Sequence, residues 1–190
     1  MLNGRSKRYA AWAAVVLLCG PVLAEQPPAT VLDIRDDSDG GKKAVATLRI
    51  AAPPDAVRAV LSDYEQWPEL FGGRFRLEKL ERLEGRVVTD LLIDRTPLPG
   101  TMRLLCETRE LPDGDLLTSL IAGNFKRYRR HWRFIPEMSD GAIHTRAEMD
   151  MLVDIDSWVP DWLFGTMLRR DLETHFRILR ERAVAQAGLK

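Results

Sequence analysis

The chain has 190 residues with 28 basic and 28 acidic side chains, a formal net charge of zero, so it exerts no global electrostatic pull on nucleic acid. Its two cysteines, Cys19 and Cys106, show none of the CxxC or Cys/His spacings that hold metals or run redox chemistry. No internal repeat and no low-complexity tract is present.

The first 24 residues read as a targeting segment. Arg5, Lys7 and Arg8 form a basic n-region, residues 10–18 an apolar core, and Val22-Leu23-Ala24 a small-residue cleavage site. The apolar stretch over 10–24 is broken by Gly20-Pro21 and falls short of the ~20 residues a spanning helix needs. Cleavage near Ala24 and a periplasmic or secreted destination are therefore expected. Lipid attachment at Cys19 is the weaker reading, because Leu18 stands where such signals carry a small side chain. Without its leader the chain keeps 166 residues, with 25 basic against 28 acidic side chains. That is enough for one domain burying roughly 70% of its unfolded surface. Cys106 then has no intramolecular disulfide partner, so stability must come from packing.

Residues 25–30 form a tail. Residues 31–35 and 44–50 read as strands joined across the polar turn 36–41, a hairpin. Pro53-Pro54 suits only a first helical turn, and Val57, Val60, Leu61 and Tyr64 follow at helical spacing, so a short helix starts at Pro54 or Asp55. Pro68 biases Trp67 out of the αR region, which implies a break or a second short helix before Gly72-Gly73 turns the chain. Strands are predicted over 74–84, 86–96, 101–110, 115–123, 126–135 and 142–154, with Gly, Pro or Asn-containing turns between them. Such short connections imply antiparallel neighbours. From 158 to about 187 the period changes: Leu163 or Phe164, Met167 or Leu168, Leu172, Phe176, Leu179 and Ala183 fall on one helical face. Asp156 or Ser157 is the expected cap, with Pro160 and Asp161 in the first turn. About 28 residues at ~1.5 Å each make this helix roughly 40 Å long.

The expected class is α+β: a curved antiparallel sheet of about seven strands wrapped around a long C-terminal helix, with two short helices after the first strand of the domain. A curved sheet cannot touch a straight helix along its whole length. The gap becomes packed core or a ligand cavity, and periodicity alone does not decide which.

Three stretches carry a resemblance. They are residues 50–57 with Leu61-Ser-Asp-Tyr-Glu-Gln-Trp-Pro-Glu-Leu-Phe71, the run 123–136 followed by Asp140-Gly141, and the closing helix from Val159-Pro-Asp-Trp-Leu163. In kind and order they resemble the START-like (SRPBCC) superfamily with its helix-grip fold, and within it the coenzyme Q-binding and polyketide cyclase branch. The expected division is a signal peptide over 1–24, a tail and strand over 25–43, and the START-like domain over 44–187. The resemblance implies a cavity between sheet and helix that takes lipids, quinones, sterols or polyketides, with chemistry in a minority of members. No cofactor is required. The export signal departs from intracellular relatives, which argues against a quinone chaperone beside respiratory complexes. It suits a carrier or sensor of a hydrophobic small molecule or lipid in the cell envelope, expected to be a monomer with transient membrane contact and no nucleic-acid partner.

Alternation over 126–135 puts Tyr128, Arg130, Trp132 and Phe134 on one face, expected inward, and Arg127, Arg129, His131 and Arg133 on the other. The same rule turns Met149 and Met151 toward the helix. These side chains read as plain core or as cavity lining; methionine suits a loosely shaped apolar ligand yet is also ordinary filler. By the resemblance, Trp67, Leu70, Phe71, Trp158, Trp162 and Met167 frame a cavity mouth, or else staple the helical elements together. Tyr64, Leu91, Ile93 and Leu163 complete the candidate ligand contacts. Arg130 is the one charge on the inward face and needs a partner, with a protein carboxylate favoured over an anionic ligand head group. The basic face 127–133 reads as a solvated strand paired with neighbouring acids; the alternative is a protein-interaction module docking an anionic surface.

Catalytic signals are sparse. His131, His144 and His175 are scattered, Cys106 reads as a small buried hydrophobe, and Asp90, Asp94 and Glu107 fit a solvated sheet face better than a proton-transfer role. A cyclase or aromatase-type enzyme stays open as an alternative, to be recognised by ionisable side chains converging inside the cavity.

Overall fold

A computed structural model of the chain describes residues 30–96, 98–139, 141–156 and 159–188. The expected leader and cleavage site, with Cys19, lie outside them. Eight antiparallel strands form one sheet: β1 (Thr30–Asp36), β2 (Lys42–Ile50), β3 (Phe75–Leu83), β4 (Arg86–Asp94), β5 (Thr101–Glu110), β6 (Leu116–Gly123), β7 (Phe125–Ser139) and β8 (Ala142–Ile155). All eight segments read as strands in the sequence are present, and β1 pairs along β2 from Thr30↔Leu48 to Asp36↔Lys42 as the expected hairpin, which makes the sheet eight strands where about seven are expected.

Strand order is β1-β2-β8-β7-β6-β5-β4-β3. From β3 to β8 the chain is a meander of short turns, but β2 lies next to β8, so the link from β2 to β3 must travel to the far edge of the sheet. That link carries α1 (Pro54–Ser62), a 3-10 turn (Tyr64–Gln66) and α2 (Trp67–Leu70). Proline occupies the first turn of both helices, where its missing N–H is not needed. Gly72 and Gly73, at φ of 65° and 76°, then turn the chain into β3. At Gly123, φ is 130° and an added Cβ would press on the Arg103 carbonyl oxygen, so the tight passage from β6 to β7 requires glycine.

The long helix α3 spans Asp161–Gly188. It starts three residues later than the sequence predicts. The backbone N–H groups of Leu163 and Phe164 both donate to the Pro160 carbonyl at 3.0 Å, which puts Pro160 just outside the helix and leaves Asp156 away from the capping position. Leu172, His175, Phe176, Leu179 and Ala183 form its buried stripe. Ala44 and Ala46 on β2 face inward and are fully buried; their small side chains let α3 pack closely against that strand. No described helix is long and apolar enough to cross a membrane.

The core lies between this stripe, α1, α2 and the concave face of the sheet. Trp132 is at its centre, 1% exposed, edge-on to Phe176 at 5.9 Å between ring centres. Cys106 is buried as expected, its thiol 3.2 Å from the Thr89 hydroxyl.

Candidate functional site

Alternation along β7 and β8 sets the inward face. Register pairs Tyr128 with Val153, Arg130 with Met151 and Trp132 with Met149, so all six share one side of the sheet. On β4 and β5 the pairs are Leu91 with Leu104 and Ile93 with Met102. Over the C-terminal half of α3 these faces meet the helix as solid core. Over its N-terminal half they do not, and a cavity of about 100 Å³ remains.

One wall is the helical side, with Val159, Phe164, Met167, Leu168 and Leu172. The other is the sheet, with Ile93, Met102 and Leu104 from β4 and β5, and Phe125, Tyr128, Arg130, Met151, Val153 and Ile155 from β7 and β8. Phe71 and Phe75 close one end, their rings stacked 4.1 Å apart. Behind Phe71, on the side away from the cavity, His175 stacks at 4.3 Å.

The lining residues Arg74, Asp94, Arg95 and Asp171 are partly or fully exposed and mark the rim. Arg74 pairs with Asp171 of α3 and donates through Nη2 to the carbonyls of Asp94 (2.8 Å) and Thr96 (3.0 Å). It therefore ties the helix to the loop after β4. Burial pushes the Asp171 carboxyl above the usual range, with Arg74 opposing it. The Asp94 carboxylate accepts from the Thr96 N–H and hydroxyl, which holds its pKa down.

Arg130 is the charged group inside. It is 4% exposed, and its Cζ lies 5.1 Å from the Trp67 ring centre and 5.9 Å from that of Phe71. Among the described residues no carboxylate pairs with it, and its buried Nε has no hydrogen-bond partner. The expected protein carboxylate is absent from around it; two aromatic faces hold the guanidinium instead. Its charge reaches Tyr64, Cys106, Tyr128 and His175. Burial nevertheless raises the two phenols and the thiol, and desolvation, helped by Arg130, pushes His175 down to about 3.

A family model described as polyketide cyclase / dehydrase and lipid transport matches residues 50–179. The chain belongs to that family. Among curated proteins none matches. The fold is shared with a STAR-related lipid transfer protein of Xanthomonas axonopodis (TM-score 0.62, 14% identity, 84% of this chain and 96% of that one). It is shared with the protein TTHA0849 of Thermus thermophilus (TM-score 0.59, 21% identity, 75% and 97%). The Zhui aromatase/cyclase of Streptomyces sp. R1128 is a third such structure (TM-score 0.55, 17% identity, 77% and 93%). At these identities the likeness is one of fold, and it confirms the START-like helix-grip architecture of this member of the family.

Of the residues singled out by sequence, Phe71, Ile93, Arg130, Met151 and Met167 line the cavity. Tyr64, Trp67, Leu70, Leu91, Trp132 and Met149 are buried in the core instead, and Phe134 packs against it. The expected mouth thus has a different composition. Trp67 is 2% exposed and its indole N–H donates to the Leu61 carbonyl at 3.0 Å, so it staples α1 to α2. Trp162 is 72% exposed beside Ile34 and Lys42, on the flank of β1 and β2, and Leu163 is half-buried outside the cavity wall. Trp158 lies outside the described residues. Missed were Phe75, Met102, Leu104 and Phe125; the alternation Met102, Leu104, Cys106 along β5 was a usable signal.

The basic face of β7 is largely matched by acids. Arg127 pairs with Asp37 and Asp154, His131 Nε2 lies 2.9 Å from Asp115, and Arg133 pairs with Glu148. Asp90 and Glu107 are likewise engaged, by Arg103 and by Arg86 and Arg109.

Proposed function

We propose that this protein binds a slender hydrophobic ligand, a lipid or a similar small molecule, between α3 and the sheet, and carries or senses it in the cell envelope. The observation that carries this reading is the apolar wall from Phe75 and Met102 across to Phe125, Met151, Leu168 and Leu172, opening at a charged rim. Each 100 Å² of ligand surface buried there contributes about 2.5 kcal/mol. A cavity of about 100 Å³ is below the ~300–1,000 Å³ of sites for drug-sized ligands, which favours a narrow chain over a folded polycycle. Export with cleavage near Ala24 supplies the compartment, and the exposed Trp162 indole suits a monomer's brief contact with a membrane interface.

Electrostatics weigh against the cyclase alternative. A proton-transfer group works best when its pKa lies near the working pH. Here the Tyr128 phenol is raised, away from the working pH, and His175, at about 3, is screened from the cavity by Phe71; the Asp171 carboxyl, which burial raises, sits at the rim engaged by Arg74 rather than inside with Arg130. The acids paired along β7 leave the interaction-module alternative without a comparable support.

Met102 is half-buried and lines the cavity, so a Met102→Trp substitution fills it from an adaptable position. Binding of the uncharged dye Nile red, followed by fluorescence, is expected to weaken at least tenfold while far-UV circular dichroism stays native. Undiminished dye affinity in the folded variant would contradict the cavity as the binding site.

A further inference from the structure

Arg130 presents an energetic puzzle. A buried guanidinium is retained where something compensates its desolvation, ordinarily a carboxylate with matching hydrogen bonds. Here no carboxylate pairs with it among the described residues, its Nε has no hydrogen-bond partner, and the ring faces of Trp67 and Phe71 lie over the charge, with the neutral Tyr64, Tyr128 and His175 side chains within its field. By contrast the rim cation Arg74, whose buried Nε also lacks an acceptor, has its charge matched by Asp171 and donates to two carbonyls. The unmatched positive charge therefore lies inside, on the cavity wall, surrounded by apolar side chains.

Resting on the cavity reading above, we propose that the ligand is a single-chain amphiphile ending in a carboxylate, bound head-in, with the carboxylate on Arg130 and the chain running along Met151, Leu168 and Leu172 toward the rim. A planar guanidinium offers two parallel N–H donors that match a carboxylate. Trp67 and Phe71 keep that fork in a fixed orientation, so little freedom is lost on binding. The narrow cavity admits a two-oxygen head group more readily than a phosphate with a further substituent. Without ligand, the bare cation is a cost the fold carries for the sake of the site.

Competition against Nile red with octanoate, octanol and octyl phosphate at pH 7.5 tests this on the wild type, Arg130→Met and Arg130→Lys. The wild type is expected to bind octanoate at least tenfold more tightly than octanol. Arg130→Met should abolish that preference, and its ligand-free form should melt at a higher temperature than the wild type, because a buried unpaired charge has gone. Arg130→Lys, a point charge without the fork, should keep a reduced preference. Equal wild-type affinity for octanoate and octanol, or a preference that survives Arg130→Met, would overturn the head-group assignment while leaving the cavity reading intact. Tighter binding of octyl phosphate than octanoate would overturn the carboxylate in favour of a phosphate. Failure of the wild type to bind Nile red or any of the three would overturn both readings. Should Arg130→Met fail to fold, the wild-type ratio and Arg130→Lys decide the matter.

Discussion

Lowering the pH from 7 to 4 is expected to cost the wild-type protein about 3 kcal/mol of stability through His175 alone, and His175→Leu is expected to be spared that loss. The imidazole is 0% exposed, and its Nδ1 lies 3.4 Å from the Leu70 carbonyl, which selects the tautomer with the proton on Nδ1; Nε2 has no partner. A second proton would place a cation in apolar surroundings beside Arg130. Desolvation first, and Arg130 second, hold the pKa at about 3 against an ordinary 6.5. The unfolded chain therefore takes up a proton below pH 6.5 that the folded one refuses until about 3. Stability from this group is complete above 6.5 and falls by about 1.4 kcal/mol per pH unit below it, down to the folded value. Urea titrations of both proteins at pH 7, 5 and 4 give the comparison, in which other titrating groups largely cancel. A difference between the two proteins that stays constant across this range would contradict the buried neutral imidazole.

The second large effect is at Trp132. Truncation by Trp132→Ala is expected to cost about 3–5 kcal/mol, since it empties the volume among Phe176, His175, Phe134 and Met149 that no neighbour can refill. Trp132→Phe is expected to cost about 1 kcal/mol or less. The indole Nε1 is buried without an acceptor, so the phenyl ring loses area but removes an unsatisfied donor, a group that costs ~1–3 kcal/mol. Denaturant midpoints at unchanged m-values provide both numbers. A Trp132→Ala cost below about 2 kcal/mol would show that the ring is not the centre of the core.

Local rules reach a long way in this chain. Period-two alternation places Arg130, Trp132, Met149 and Met151 on the inward face, and all are buried there. Prolines and glycines mark the helix starts and hairpin turns to within a few residues. What alternation cannot supply is the depth of each inward residue relative to α3. Trp132 and Arg130 are two residues apart on one strand, yet one is core and the other cavity wall. The difference arises where the helix departs from the curved sheet, a property of elements far apart in sequence. The same holds for Trp67, which the sequence leaves open between a rim of tryptophans and a staple of the helical elements, and which packs inward as the staple through its bond to Leu61. Arg130 is the sharpest case. Sequence identifies an inward charge, while its lack of a carboxylate depends on what β4, β5, α2 and α3 bring near it.

If the space between α3 and the sheet is built to hold an apolar ligand, the protein should carry one when it is isolated. Native mass spectrometry of the protein isolated from its own cells without denaturation, followed by extraction of whatever is bound, puts this to the proof. The expected result is a one-to-one adduct that extracts as a single-chain acidic lipid and disappears in the Met102→Trp variant. A protein that is consistently empty and takes up no lipid from an extract would contradict it.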